Sequence, residues 1–414
     1  MPLPLFRPFP GLRPNLQFAA EVAAPPYDVL SSDEARQLAA GKPRSFLHIS
    51  KPEIDLPEGI DVYSAAVYAK GAENLRRMID DGVLLRDPAP CFYVYRLEMG
   101  DHRQTGIVGG GSVAAYDVNR IRKHEFTRPD KEDDRVRQID ACDAQTGPVL
   151  LAHRNTPALA EVIAATVAKP PVLRIQAVDG NTHSLWVVDD AQRQAVIVSE
   201  FDAMTALYIA DGHHRSAAAS RVAAARRRPG AAEAAAESFL VVSFPIEEMK
   251  IFDYNRVVRD LHGLTREQFL AALAAEFEVT AVSGQARPTE PRKIGLYLPG
   301  QWYQLSLRKP LPPASDPVAR LDVSLLTDRL LAPVLGIADL RKDKRIDFVG
   351  GKRGLGELER RVDSGEMAAA FALFATRMED LVAVADAGQV MPPKSTWFEP
   401  KLADGMVSYP LTWA

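Results

Sequence analysis

A short apolar stretch, Ala206 to Ala210, runs directly into Asp211-Gly212, and an Ala-rich helical segment, Ser216 to Arg228, follows at once. No other feature constrains the chain as much. The glycine at the join allows tight backbone approach between strand and helix. The N–H groups at a helix start lack intrahelical partners, point outward and bind anions. His213, His214 and Arg215 add side-chain donors at the same place, and a guanidinium holds phosphate oxygens with a planar fork. Cations there oppose the helix dipole, so the cluster is unfavourable unless an anion compensates it. The simpler alternative is a helix start that merely carries these side chains. The compensation argument favours a phosphate-binding turn over Gly212, His213, His214 and Arg215. Asp211 is then placed to bind Mg²⁺ or to orient a hydroxyl.

Composition narrows the setting. The chain is 47% hydrophobic and 25% charged, which is ordinary for a globular protein. Its 414 residues allow two or three structural units and a large core. Lys and Arg number 50 against 54 Asp and Glu, a net charge of -4. A nucleic-acid binder needs a concentrated basic face, so that partner is not expected. No apolar run reaches the roughly 18 residues of a membrane span. Met1 to Pro14 has no apolar core and is not a signal peptide. A cytoplasmic protein is expected. Cys91 and Cys142 form no CxxC pair, which argues against zinc or dithiol chemistry and leaves a single disulfide open.

The pattern along the chain mixes strands and helices. Ser31 or Ser32 caps a helix through Asp33 to Ala39, and a longer helix covers Tyr63 to Asp81, stopping at Gly82. Cys91–Leu97 and Thr105–Ala115 read as paired strands around Met99-Gly100-Asp101. A charged helix is expected over Lys131–Ala141 and another over Thr156–Val167. Val172–Val178 and Ser184–Val188 form a hairpin, and Phe239–Phe244 a buried strand. Arg226-Arg227-Arg228 closes the Ala-rich helix before Pro229-Gly230, where the dipole favours positive charge. Thr265 caps a helix reaching Phe277, and Ile294–Leu298 pairs with Trp302–Leu307. Further helices are expected near Leu325–Leu335 and Leu355–Glu379, separated by loops that include Asp347–Gly351. The fold class is α+β with mixed, α/β-like sheets, in three segments: 1–104, 105–262 and 263–414.

Other clusters suggest chemistry. Glu125, flanked by Lys123-His124 at a loop–helix junction, is a candidate general base. A solvated charged turn explains the same residues. Arg256, read as following a strand and a helix-like turn, either completes an anion site or locks a loop. Lys394, stiffened by Pro392-Pro393, either reaches a ligand or docks the tail. Tyr27-Asp28 after Pro25-Pro26 is either a substrate-facing loop or a rigid corner. GxxxxGK[ST], GxGxxG, GxSxG and HExxH are absent from the sequence. Adjacent His213-His214 lack the spacing of a helical zinc pair.

The run Ile209-Ala210-Asp211-Gly212-His213-His214-Arg215 resembles the phosphate-binding box of the ParB/sulfiredoxin superfamily. Arg7-Pro8-Phe9, Gly11-Leu12-Arg13, Ala24-Pro25-Pro26-Tyr27-Asp28-Val29, His124-Glu125-Phe126-Thr127 and Met391-Pro392-Pro393-Lys394-Ser395-Thr396 extend the likeness. Over nearly its whole length the chain resembles a large bacterial family of uncharacterised proteins in that superfamily. The order of His124-Glu125, then a helix, then the box is similar to that of the SerK/SbnI free-serine kinases. The resemblance implies a ParB/sulfiredoxin-like catalytic core with N- and C-terminal elaborations. It implies Glu125 as the base and Gly212 to Arg215 as the nucleotide cradle, and His124 and Asp211 are the further catalytic candidates beside them. ATP or ADP with Mg²⁺ would be the donor, and a hydroxyl of free L-serine or a similar metabolite the acceptor. The alternative is a nucleotide-binding or nucleotide-hydrolysing regulator. The chain departs from the pattern in an extra hairpin and helix between the two motifs. His213 also stands where sulfiredoxins carry the catalytic cysteine, which disfavours sulfinic acid reduction. Neither a helix-turn-helix nor a basic balance points to DNA partitioning.

Overall fold

Strand β1 (Phe6–Arg7) is followed by the hairpin β2 (Phe92–Met99) and β3 (His102–Ser112), which turns at Gly100. With β4 (Ile121–Arg122), β5 (Val149–His153), β6 (Leu173–Gln176), β7 (Thr182–Val188), β8 (Leu207–Asp211) and β9 (Ser238–Pro245) they make one mixed sheet. Its order is β4-β8-β5-β9-β3-β2-β7-β6, with β1 on β3. Strand β8 runs parallel to β4 and antiparallel to β5. The computed structural model describes residues 3–227, 235–313 and 315–412.

The strands form because apolar side chains fall where the sheet buries them. Phe92, Val94, Ile107, Trp186, Ile209, Phe239 and Val241 pack with Phe6 and Phe201 into one core. Burial of such side chains contributes about 1.5–3 kcal/mol each before entropy is counted. Helix α1 (Ser32–Ala39) has a full capping box from Ser31 and Glu34. α2 (Ala65–Asp80), α3 (Pro129–Cys142), α4 (Pro157–Val167), α5 (Ala191–Ala203) and α6 (His213–Arg226) follow. α6 packs on α3, laced by Arg221–Asp133 at 2.7 Å and Arg226–Asp140 at 2.9 Å.

Contacts divide the chain into two compact units, 1–249 with 400–414, and 250–399. The sequence boundary at 104/105 falls inside β3, and that at 262/263 falls inside the second unit. The second unit is built on a wholly antiparallel sheet. Its strands are β10 (Tyr254–Val258), β11 (Phe277–Val282), β12 (Lys293–Leu298), β13 (Gln301–Leu307), β14 (Ile346–Gly350) and β15 (Ala369–Ala372). The order is β11-β13-β12-β15-β10-β14. Helix α7 (Arg266–Leu273) is capped by Thr265 and Gln268. Helix α8 (Leu355–Asp363) places Leu355, Leu358 and Val362 against Tyr297 and Trp302.

Several sequence expectations need correction. The single helix over Leu355–Glu379 is a helix, a strand and a second helix, α8, β15 and α9 (Met378–Asp386). Ala-Ala-Phe-Ala has helical propensity, but Gly365 at φ +76 ends α8, and all four β15 residues are buried. Phe277 opens β11 rather than closing α7. Asp347–Gly350 is strand, not loop, and Arg256 lies within β10. The helix expected near Leu325–Leu335 is present, and its Thr327–Leu331 turn is π-helical. Helix α5 went unpredicted. Arg228, Pro229 and Gly230 lie outside the described residues. Both cysteines are free thiols. Among the described residues no helix is long and apolar enough to cross a membrane.

Candidate active site

The join between β8 and α6 organises the site. Tyr208 and Ile209 pair with Ala152 and Leu151, then the register slips so that Asp211 faces Leu150. A bulge of this kind re-aims the side chain beyond it. Gly212 follows at φ +97 and ψ 28, as an N-cap without a side-chain hydrogen bond. The first bond of the helix runs from Ser216 N–H to Gly212 O at 3.0 Å. The N–H groups of His213, His214 and Arg215 precede it, so none has an intrahelical acceptor. A Cβ at position 212 would lie 3.1 Å from Arg215 Nε and 3.3 Å from Val149 Cα. Gly212→Ala is therefore expected to lower stability by about 1–3 kcal/mol, read as a lower Tm.

Arg215 turns inward. Its side chain is 9% exposed and lies 3.4 Å from Asp28 Oδ2 and 3.7 Å from Asp211 Oδ1. Its Nη1 also donates to the Pro148 carbonyl. Burial disfavours the guanidinium charge, but Asp28 and Asp211 more than offset this and raise its pKa. Asp211 has a second cation, with Lys401 Nζ 3.2 Å from its Oδ2. Burial disfavours the Asp211 charge, yet Lys401 and Arg215 hold its pKa far below the usual carboxylate range.

The histidines form a second layer. His124 N–H lies 3.5 Å from His213 Nε2, and the two rings meet edge to face at 4.5 Å. With Nε2 accepting, the His213 proton sits on Nδ1, which faces Glu125 Oε2 at 3.7 Å. Glu125 is 44% exposed and His213 4%. Burial pushes His124 down to about 4 and His213 well below its ordinary value. Both rings are neutral at pH 7. His214 is partly buried, and its Nε2 accepts from Arg128 N–H at 3.1 Å. The N-terminus of α3 is thereby tied to that of α6.

The first unit thus brings together Asp28, His124, Glu125 and Asp211 to Arg215. Tyr27 joins them, stacked under Arg135 at 3.9 Å, with its hydroxyl pushed up to about 12 by burial. Arg256 and Lys394 belong to the second unit. Arg256 is fully buried and donates to the carbonyls of Tyr254 and of Lys394, the latter at 3.0 Å. It locks the Pro392–Lys394 turn, the loop-locking alternative read from the sequence.

Two residues of the first unit escaped sequence reasoning, Lys401 and Asp404. Both lie far along the chain from the box, in a segment without a local motif. Asp404 is 1% exposed, and its Oδ2 has no hydrogen-bond partner among the described residues. Burial raises its pKa to about 7, against relief from Arg215. An acid raised from 3.8 to about 7 favours folding fully below about pH 4. That contribution is lost as pH rises through 7. Asp404→Asn is expected to raise Tm relative to the unsubstituted chain at pH 8, to raise it less at pH 5, and to change it little below pH 4.

Asp211 does not fit a resident Mg²⁺ ligand, because Lys401 and Arg215 already neutralise it. Among the described residues no three His, Cys, Asp or Glu side chains converge on a metal position.

A family model described as "Protein of unknown function (DUF1015)" matches residues 6–324. No curated protein matches the chain. Solved structures give slight likenesses. A free serine kinase in complex with AMP is 14% identical, covering 71% of this chain and 86% of its own, with a TM-score of 0.33. SbnI with a C-terminal truncation, from Staphylococcus aureus, is 12% identical over 73% and 87%, at 0.38. A conserved hypothetical protein from Pyrococcus furiosus is 15% identical over 72% and 93%, at 0.33. Likeness at this level leaves the reaction to be read from the site itself.

Proposed function

The chain belongs to the DUF1015 family, and we propose that this member is a small-molecule kinase. It moves a phosphoryl group from ATP or ADP to a hydroxyl of free L-serine or a similar metabolite. One observation carries the reading. A half-exposed carboxylate, Glu125, stands 3.7 Å from a buried neutral histidine that opens an uncapped helix. That helix start offers N–H groups to phosphate oxygens, and the carboxylate beside it accepts a proton. The core of the first unit is taken as ParB/sulfiredoxin-like, on the residues of the Asp211–Arg215 box.

Phosphoryl transfer is mostly positioning and charge stabilisation. The N–H groups of 213–215 bind the phosphates. The acceptor oxygen forms the new P–O bond as the bond to the leaving nucleotide breaks. Glu125 takes the hydroxyl proton. Neutral His213 points its Nδ1 proton at Glu125 and keeps that carboxylate facing the turn. A Mg²⁺ ion, where required, arrives with the nucleotide phosphates.

The test is donor consumption with a panel of hydroxylated metabolites. Acceptor-dependent turnover that Glu125→Gln abolishes supports the kinase. Tight nucleotide binding with slow, acceptor-independent hydrolysis points instead to the regulator, and sinks the kinase.

A further inference from the structure

A phosphate turn needs a cation that faces its ligand, and Arg215 is poorly placed for that. Its guanidinium is held by Pro148 O, Asp28 and Asp211. The neighbouring histidines are neutral. Lys401 stands differently. Its Nζ is 3.2 Å from Asp211 Oδ2, on the residue just before the N-cap, and its side chain is 22% exposed against 9% for Arg215. The chain leaves the first unit after Met249 and rejoins it at Pro400. Three residues past Lys401 the returning backbone is pinned to Ala24, by reciprocal N–H to O bonds of 2.9 and 3.1 Å at Asp404. This anchorage fixes where the ammonium is delivered.

We infer that Lys401 is the cation that meets the terminal phosphate of the bound nucleotide, and that Asp211 positions it. The inference rests on the nucleotide reading above. A lysine ammonium is a compact charge on a flexible stem with three rotatable donors. It contacts a phosphate oxygen while keeping one donor on Asp211. Arg215 meanwhile holds Asp211 and Asp28 from the interior side.

Calorimetric titration of the full chain with ADP, alongside melting curves for each variant, tests this. Lys401→Met is expected to weaken ADP binding about ten- to a hundredfold, the scale of one charge-assisted hydrogen bond. Lys401→Arg should recover part of that loss. The double variant Asp211→Asn with Lys401→Met separates contact from mere neutralisation, and it should bind as weakly as Lys401→Met. Recovery of full affinity in the double variant overturns the inference, because Lys401 then only masks Asp211. Unchanged affinity in a folded Lys401→Met does the same, and leaves the kinase reading standing. If the unsubstituted chain binds no ADP, the nucleotide reading fails and the inference falls with it.

Discussion

Arg215→Met is expected to cost about 1–3 kcal/mol of folding stability, the scale for leaving a buried polar group without its partner. The guanidinium is the shared counter-charge of Asp28 at 3.4 Å and Asp211 at 3.7 Å. It also lowers the cost of ionising the buried Asp404. Methionine fills much of the volume and restores none of the charge. It also leaves the Pro148 carbonyl without this donor. Against a usual total of about 5–15 kcal/mol, such a loss is large. The urea midpoint reads it directly. Adding Asp28→Asn should return part of the loss, because one stranded carboxylate is removed. A midpoint change equivalent to less than about 0.5 kcal/mol, the range of ordinary surface substitutions, would show that the interior pairing does not hold the turn.

Glu125→Gln is expected to lower kcat by about a hundred- to ten-thousandfold, the usual worth of a positioned base. The Kd for ADP should stay nearly unchanged. Glutamine keeps the size and removes the proton acceptor. Glu125 is 44% exposed, so the fold should tolerate the change and Tm should hardly move. A fall in nucleotide affinity equal to the fall in kcat would assign Glu125 to phosphate-side binding rather than to proton transfer.

Local sequence specifies the turn, and the tertiary fold sets the direction and partners of its side chains. The β8–Gly212–α6 join was legible because its signals are local. Five apolar residues, a glycine and a helical run occupy one continuous stretch. The same holds for α1 with its capping box and for the β2–β3 hairpin with its Gly100 turn. The sequence places Arg215 in the candidate turn, but not its direction. Its orientation depends on Asp28 and Pro148, which are 187 and 67 residues away along the chain. Lys401 was invisible for the same reason, since its pairing with Asp211 spans 190 residues. In the second unit, β15 was hidden inside a helical composition. Alanine favours a helix in isolation, and only the neighbouring strands β10 and β12 turn that stretch into sheet. Arg256 reads from the sequence as completing an anion site or locking a loop, and its Nη1 and Nη2 donate to backbone carbonyls.

The central claim is that the turn at Gly212 presents a phosphoryl donor to an acceptor hydroxyl beside Glu125. Phosphorus-31 NMR of the protein with ATP or ADP and L-serine, followed by other small hydroxylated metabolites, tests it most directly. The expected result is a phosphate-monoester resonance that grows one for one with loss of the donor's terminal phosphate, and only when an acceptor is present. A donor that stays intact with every acceptor, or that yields inorganic phosphate alone, would contradict it.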